Sequence, residues 1–233
     1  MAEGAGHDRQ SKAEAPDLIE DPRERAEQEA RNALVQFDIA KEAIEFWAGK
    51  SDRPFNLRPS LILQLHRAAL QSISAFAGNW RPAGVEIGQS KHVPPDGPLV
   101  PELVEQMCDY VNENWDTKSA FHLAAYVLWK LNWIHPFDDG NGRTSRAVSY
   151  VVLCVRTGQE LPGTYTIPEQ ISEDKMPYYT ALEEADAAWK NGDIDVSVVE
   201  ALMEEMLAKQ LAHVLDRAKD PEPIEVDRDP TLH

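Results

Sequence analysis

The spacing of hydrophobic residues along the chain predicts a domain built almost wholly from helices. The clearest helix runs from Ser119 to Ile134, where apolar residues recur every three or four positions. It must end near His135, because Pro136 disfavours helical geometry in the residue before it. Further helices of similar spacing are predicted over residues 24–48, 60–78, 100–114, 143–155, 178–189 and 197–217.

The first of these helices carries an apolar stripe formed by Leu34, Phe37, Ile44 and Trp47. Residues at this spacing share one face of a helix, so we expect that face to pack against the core. Gly49, which follows, is expected to end this helix.

One short segment departs from the helical pattern. Val85 and Ile87 alternate with polar residues, and then Gly88 and the pair Pro94–Pro95 interrupt the run. Such a pattern is typical of a short β-hairpin or an extended flap. The predicted fold class is therefore all-α, with a short β-hairpin flap.

The two ends of the chain lack any periodic pattern and are rich in acidic residues, which is typical of unpacked segments. The predicted organisation is a mobile N-terminal tail (residues 1–23), an N-terminal helical segment (24–58), a core (59–193), a C-terminal helix (194–218) and a disordered tail (219–233).

The composition narrows the function classes. The 233 residues carry a net charge of −17, which argues against nucleic acid as a partner, since phosphate backbones need clustered Lys and Arg. No apolar run is long enough to cross a membrane, and the N-terminus has no signal-peptide core. Cys108 and Cys154 lie in apolar helical stretches and are expected to be buried thiols. We therefore expect a cytoplasmic protein.

The segment that joins two of the predicted helices, His135 to Arg146, holds the candidate chemistry. Gly140, Asn141 and Gly142 allow positive φ, so the backbone can turn its N–H groups toward one point at the start of the next helix. A helix N-terminus of this kind is a natural phosphate site.

Charged side chains surround that turn. Arg143 and Arg146 are three residues apart on the following helix, so both can reach one anion. Asp139 is a hard carboxylate suited to Mg²⁺. His135 has an ordinary pKa of roughly 6.5, which suits a general base near neutrality. Phe137 has no polar role and is expected to anchor the turn in the core.

This segment resembles the motif of the Fic (filamentation induced by cAMP) family, His-x-Phe-x-(Asp/Glu)-Gly-Asn-Gly-Arg-x-x-Arg, and agrees with it at every specified position. The neighbouring stretches 77–81, 85–88, 92–95 and 178–193 resemble the segments that flank the motif in that family. The resemblance covers about residues 60 to 193.

The resemblance implies a protein adenylyltransferase, which moves AMP from Mg-ATP to a Ser, Thr or Tyr hydroxyl of a target protein. His135 would deprotonate that hydroxyl, and Asp139 would hold Mg²⁺. Asn141 and the glycine amides would bind the α-phosphate, while Arg143 and Arg146 would bind the outer phosphates.

The flanking stretches carry implied roles as well. The flap residues Val85, Glu86 and Ile87 would pair with an extended segment of the target. Tyr179 and Asp186 would line the adenine pocket, although core packing is the plain alternative for the tyrosine.

Two other functions stay open at this point. One is transfer of phosphate or another nucleotide-linked group on the same fold, but the intact Gly140 and Gly142 favour AMP. The other is a non-catalytic helical adaptor, which the intact His135 and Asp139 disfavour.

The inhibitory sequence pattern that the resemblance would imply is not found in this sequence. Many relatives carry an inhibitory Ser/Thr-x-x-x-Glu-(Gly/Asn) pattern, and neither Glu3–Gly4 nor Glu113–Asn114 has the required upstream hydroxyl. Glu27 or Glu29 could reach Arg146 by another geometry. Otherwise restraint would fall to an antitoxin-like inhibitor protein or to a homo-oligomer, and we expect loss of residues 1–23 to change the rate little.

Overall fold

The computed structural model describes residues 9, 11–12, 18–50 and 54–219. Within these residues the chain is helical, with one two-stranded sheet, which confirms the all-α prediction. The elements in chain order are β1 (Ser11–Lys12), α1 (Pro22–Trp47), α2 (Pro59–Leu70), β2 (Glu86–Ile87), a 3₁₀ turn (Gly97–Leu99), α3 (Val100–Glu113), α4 (Ala120–Ile134), α5 (Asn141–Thr157), α6 (Ile167–Glu173), α7 (Met176–Lys190) and α8 (Ser197–Lys219).

Helix α4 forms the centre of the domain and is buried on nearly every side. Ser119 caps its N-terminus, where the hydroxyl accepts a 2.9 Å hydrogen bond from the His122 amide. The helix packs against α3, α5, α7 and α8 and ends at Ile134, as predicted from Pro136. Helix α5 follows after a six-residue loop, so the motif lies where the two most buried helices meet.

Several helix boundaries differ from those predicted from the sequence. Helix α5 begins at Asn141 and not at residue 143, so the whole glycine-containing turn sits at its N-terminus. Helix α2 ends at Leu70 and not near residue 78, because the amide of Gly78 donates to His66 Nδ1 and folds the chain back onto the helix. Helix α6 was not predicted, although its capping box of Thr166 and Glu169 is visible in the sequence.

The predicted apolar face of α1 is wrong in part. Leu34 and Phe37 are 69% and 49% exposed, and only the Ile44 end of the stripe is buried. The face that packs against the domain instead contains Asn32 and Gln36, followed by Ala40 and Ile44 at intervals of four.

Two side-chain amides explain that orientation. Asn32 donates hydrogen bonds of 3.1 and 2.8 Å to the carbonyls of Ala69 and Gln71, and Gln36 donates one of 3.1 Å to the carbonyl of Leu65. The last carbonyls of a helix have no partner within it, so Asn32 satisfies the C-terminal end of α2, while Gln36 bonds a carbonyl further inside that helix. Polar pairing thus decides which face of α1 is buried.

The flap does not fold back on itself as a hairpin. Strand β2 pairs in antiparallel register with β1, with Ser11 opposite Ile87 and Lys12 opposite Glu86. The Arg81 guanidinium donates to the carbonyls of Ala83 and Pro95, one on each side of the flap, which removes these acceptors from any cross-flap ladder.

The predicted tails fall partly outside the described residues. Ser11 and Lys12 belong to the expected N-terminal tail and form β1, and the tail's last two residues open α1. Residues 1–8, 10, 13–17 and 220–233 are not described. Cys108 and Cys154 are buried thiols, as predicted. None of the helices in the described ranges combines the length and apolarity that a bilayer span requires.

The polar face of α1 generates a stability prediction. Asn32→Ala should lower the free energy of unfolding by about 1–3 kcal/mol, because it leaves buried helix-terminal carbonyls without a donor. Leu34→Ala, at the exposed position, should change it by less than about 0.5 kcal/mol. Urea denaturation of both variants measures the difference, and a larger loss for Leu34→Ala would contradict the assigned face.

Candidate active site

A cavity of about 870 Å³ opens between the loop that joins α4 to α5, the flap, and one face of α7. Of the site residues predicted from the sequence, only Val85 and Glu86 do not line it: Val85 is buried beneath the flap and Glu86 is exposed on β2. The predicted residues that line the cavity are Ile87, His135, Asp139, Gly140, Asn141, Gly142, Arg143, Arg146, Tyr179 and Asp186.

The loop before α5 is closed by the Asn141 side chain. Its Oδ1 accepts from the Phe137 amide and its Nδ2 donates to the Phe137 carbonyl, both at 2.9 Å. Gly140 enters the helix with a φ of 73°, and a Cβ there would lie 2.3 Å from Leu70 Cδ2. The positive φ and the close approach to Leu70 both favour glycine. The first-turn amides of α5 have no acceptor within the helix, and Asn141 and Gly142 of this turn line the cavity.

Phe137 anchors the loop, as predicted. Its ring stacks on that of His66, with centroids 3.6 Å apart and planes 6° from parallel, and Trp80 packs nearby at 5.2 Å. His66 Nδ1 accepts from the Gly78 amide, so Nε2 carries the proton and donates to the Asp139 carbonyl at 3.0 Å. Burial lowers the pKa of His66 to about 4, so the ring is a neutral packed histidine at pH 7.

His135 is held as a neutral ring with a defined tautomer. It takes the left-handed conformation, with a φ of 51°, at the end of α4 and is only 6% exposed. Its Nδ1 lies 3.4 Å from the Asn132 carbonyl, which can only accept, so Nδ1 carries the proton and the lone pair of Nε2 faces the cavity. Burial lowers the pKa of His135 to about 4.

The Arg81 side chain fixes the backbone around that histidine. Its Nε donates 2.8 Å to the His135 carbonyl, and its amide donates 2.9 Å to the Pro136 carbonyl. Because the same guanidinium also bonds both sides of the flap, Arg81 connects the flap to the loop between α4 and α5. The sequence pattern marked Arg81 as part of a flanking segment but did not indicate this role.

Asp139 sits in a network of charges. Its Oδ2 lies 2.8 Å from Nη2 of Arg25 and 3.2 Å from Nη2 of Arg143, and Arg143 also pairs with Glu29 at 3.2 Å. Arg25 and Glu29 both come from α1, so this helix supplies one positive and one negative partner to the motif. Glu29, which was expected to be able to reach Arg146, pairs with Arg143, and the contact of Arg25 was not predicted.

The Asp139 carboxylate fits a magnesium ion held mainly by phosphate oxygens. It is a hard oxygen ligand, 37% exposed, beside the helix N-terminus. No group of three or more His, Cys, Asp or Glu side chains in the described ranges is arranged to hold a metal by itself. Asp138, by contrast, is buried and accepts 2.8 Å from the Ser74 hydroxyl, so it stabilises the loop.

The far wall of the cavity holds the predicted adenine-side residues. The Tyr179 ring lies 4.3 Å from the Arg9 guanidinium carbon, and its hydroxyl accepts from the Arg9 amide at 3.3 Å. Asp186 accepts 2.8 Å from the Trp129 indole and lies 3.9 Å from His92, so its carboxylate is fixed to α4 and the flap. His92 in turn bonds the Trp133 carbonyl at 2.7 Å.

The N-terminal segment also reaches the site, which the sequence did not indicate. Ser11 Oγ lies 2.8 Å from His135 Nε2 and 3.3 Å from Asn141 Nδ2. Arg9 stacks on Tyr179 and pairs with Glu183. Both residues lie in a polar stretch with no periodic pattern, so no local signal could have found them.

Comparison with known proteins agrees with this geometry. Residues 56–153 match the sequence profile of the Fic/DOC family. Proteins called protein adenylyltransferase Fic, from Drosophila willistoni and Drosophila persimilis, are 34% and 35% identical over 135 residues, 57% of this chain. The aligned part spans about a quarter of the length of those relatives, 24% in each case.

Solved structures share the fold. A Fic family protein from Desulfovibrio desulfuricans superposes with a TM-score of 0.60 at 22% identity, over 89% of this chain and 57% of that one. BepC from Bartonella tribocorum, solved with bound AMPPNP, gives 0.52 at 19% identity, over 81% of this chain and 88% of that one. Residues 56–153, which include the loop of His135, are therefore similar to the Fic/DOC family, and the solved structures share the helical fold of this chain.

Proposed function

We propose that this chain is a protein adenylyltransferase that moves AMP from Mg-ATP to a hydroxyl side chain of a protein. The observation that carries the proposal is the position of His135: a neutral imidazole presents an unprotonated Nε2 to a cavity that the N-terminal residues of α5 also line. A base and an anion site thus face the same space. Adenylyl transfer needs this combination.

His135 removes the proton of the incoming hydroxyl as its oxygen attacks the α-phosphorus. The first-turn amides of α5 and the basic residues Arg143 and Arg146 balance the charge of the triphosphate, so pyrophosphate can leave. Tyr179 and Asp186 border the space where the base of the nucleotide fits. The work of the protein is chiefly positioning and charge neutralisation.

The flap presents the target. Strand β2, Glu86–Ile87, pairs through its main chain with β1, and an extended segment of a target protein would take the place of β1. The Val85 side chain is buried beneath β2 and supports the strand beside the cavity. Pairing through the main chain brings a side chain of the added strand toward His135 and makes few demands on the target's sequence.

Asp139 is the residue that would hold Mg²⁺, which supplies charge neutralisation of the phosphates when bound. The Asn141 side chain, expected to bind phosphate, is engaged with Phe137 at both its ends. On this proposal Asn141 shapes the loop, and its backbone amide, with that of Gly142, faces the phosphates.

The first prediction concerns the base. His135→Ala should lower AMP transfer by about 10²–10⁴-fold and leave ATP affinity nearly intact, because the ring acts on the hydroxyl and not on the nucleotide. Transfer is measured with ATP labelled at the α-phosphate and affinity by calorimetry, with His213→Ala on the exposed side of α8 as the matched control. Near wild-type turnover in His135→Ala would remove the histidine from the mechanism.

The position of the label separates the proposed function from phosphate transfer. Protein-bound label should come from α-labelled ATP and not from γ-labelled ATP. Label that arrives only from the γ position would show that the chain transfers phosphate.

The second prediction concerns Asp139. Asp139→Asn should weaken ATP binding when Mg²⁺ is present, yet bind metal-free ATP at least as well as the unchanged chain. The reason is that the carboxylate repels bare phosphates and occupies the guanidinium groups of Arg25 and Arg143. Calorimetry with Mg²⁺ and with a chelator measures both affinities, and Asp109→Asn, exposed on α3, is the control. If Asp139→Asn keeps the full Mg²⁺ enhancement, the metal is held elsewhere.

The third prediction concerns pH. Because burial lowers the pKa of His135 to about 4 from an ordinary 6.5, the folded chain binds fewer protons at this ring than the unfolded chain between these values. The ring therefore costs no stability above pH 6.5 and destabilises the fold progressively as the pH falls toward 4. NMR titration of the His135 ring should give a midpoint near 4. A midpoint above 6 would show that the ring is solvated like an exposed imidazole.

A further inference from the structure

Ser11 occupies the place that an acceptor hydroxyl must take. Its Oγ lies 2.8 Å from Nε2 of His135, within hydrogen-bond reach of the group proposed as the base. It also lies 3.3 Å from Nδ2 of Asn141, at the start of α5. No other hydroxyl of the described residues has a recorded hydrogen bond to the His135 ring.

The polarity of these contacts sets the orientation of the hydroxyl. His135 Nε2 carries no proton, because Nδ1 is directed at the Asn132 carbonyl, so the Ser11 hydroxyl donates to Nε2. The Asn141 amide donates to Ser11 Oγ and occupies one lone pair. A hydroxyl has two lone pairs, so the second is left for attack. The Ser11 hydroxyl thus directs its proton at His135 Nε2.

Three separate contacts hold this segment over the cavity. The main chain of Ser11 and Lys12 pairs with β2, in the manner proposed for a target strand. Two residues earlier, Arg9 stacks on Tyr179 and pairs with Glu183. On the other side of Ser11, the Leu18 amide donates to the Ile73 carbonyl at 3.1 Å, which anchors the chain beside α2.

We propose that Ser11 is an AMP acceptor for its own active site, modified within the same chain. The inference rests on the proposed adenylyl transfer and names one substrate of it. The Ser11 oxygen forms a bond to the α-phosphorus as the bond from that phosphorus to the bridging oxygen breaks. The electron pair leaves with pyrophosphate, and the Ser11 proton goes to His135 Nε2.

Arg9 sets the order of events. Its guanidinium covers the Tyr179 ring, which borders the space proposed for adenine, so ATP must displace Arg9 from that ring. The pairing of Ser11 with Ile87 is made by the main chain and does not involve the Arg9 side chain. Nucleotide can therefore enter without removing Ser11 from His135.

The experiment incubates the full chain with Mg²⁺ and α-labelled ATP and locates the adduct by peptide mass spectrometry. The expected result is AMP on Ser11, at no more than one per chain, with a rate constant that does not change over a wide dilution series. Ser11→Ala should lose this label and Ser11→Thr should retain it, since threonine keeps the hydroxyl and suits a strand. Ser172→Ala, an exposed hydroxyl on α6, should label like the unchanged chain.

Two outcomes overturn the inference. One is a Ser11 label whose rate rises in proportion to protein concentration, which would mean transfer between chains. The other is an unmodified Ser11 in a chain that does label other proteins of a lysate, especially if Ser11→Ala labels them faster; the segment would then be a plug and not a substrate.

The failure of the proposed function gives a different pattern. A synthetic peptide of residues 7–15 is offered in trans to the Ser11→Ala chain, beside the lysate proteins. If neither the peptide, the lysate proteins nor Ser11 gains label in any variant, the chain transfers no AMP at all. Label on the lysate proteins with none on Ser11 removes only the inference about Ser11.

Discussion

The paired hydrogen bonds between the Asn141 side chain and the main chain of Phe137 are the constraint on which the site depends. They close a tight turn between two helices that are otherwise packed in the core. A buried turn must satisfy its own polar groups, and here one carboxamide serves both a donor and an acceptor. With the turn closed, Gly140 can pass against Leu70, and the first amides of α5 face the cavity. On the proposed function, the phosphate site follows from the loop's need for internal hydrogen-bond partners.

The same closure determines the chemistry of His135. Pro136 and the left-handed conformation end α4 and swing the imidazole under the flap, where Arg81 holds its carbonyl. Burial then penalises the charged ring, and the Asn132 carbonyl selects the tautomer. A histidine that stays neutral well below pH 7 is always ready to accept a proton. On the proposed function the lowered pKa makes His135 a weaker base than an exposed imidazole, and the 2.8 Å approach of a hydroxyl offsets this by positioning.

The sequence predicted the features that depend on neighbouring residues. It did not predict the features that depend on contacts between distant parts of the chain. The end of α4 and the turn before α5 follow from Pro136 and the glycine-containing run, whose backbone preferences act on their neighbours. The buried face of α1 does not, because Asn32 and Gln36 face inward to donate to carbonyls of α2, a contact that no local sequence pattern shows. Ser11 is the extreme case: nothing near it in sequence marks a strand, and its place is set by β2, 75 to 76 positions further along the chain.

The charge of the chain leads to a last consequence of this arrangement. A protein of net charge −17 resists a nucleotide triphosphate, and in the cavity Asp139 and Glu29 occupy Arg143, while Asp139 also occupies Arg25. On the proposed function, Asp139 would hold the divalent ion that accompanies ATP and would give up its ion pairs with Arg25 and Arg143. Arg25 and Arg143 would then pair with the phosphates in place of Asp139, so neither guanidinium would be left without a negative partner. Binding is in this way an exchange of ion pairs, which is why the metal and the nucleotide should enter together.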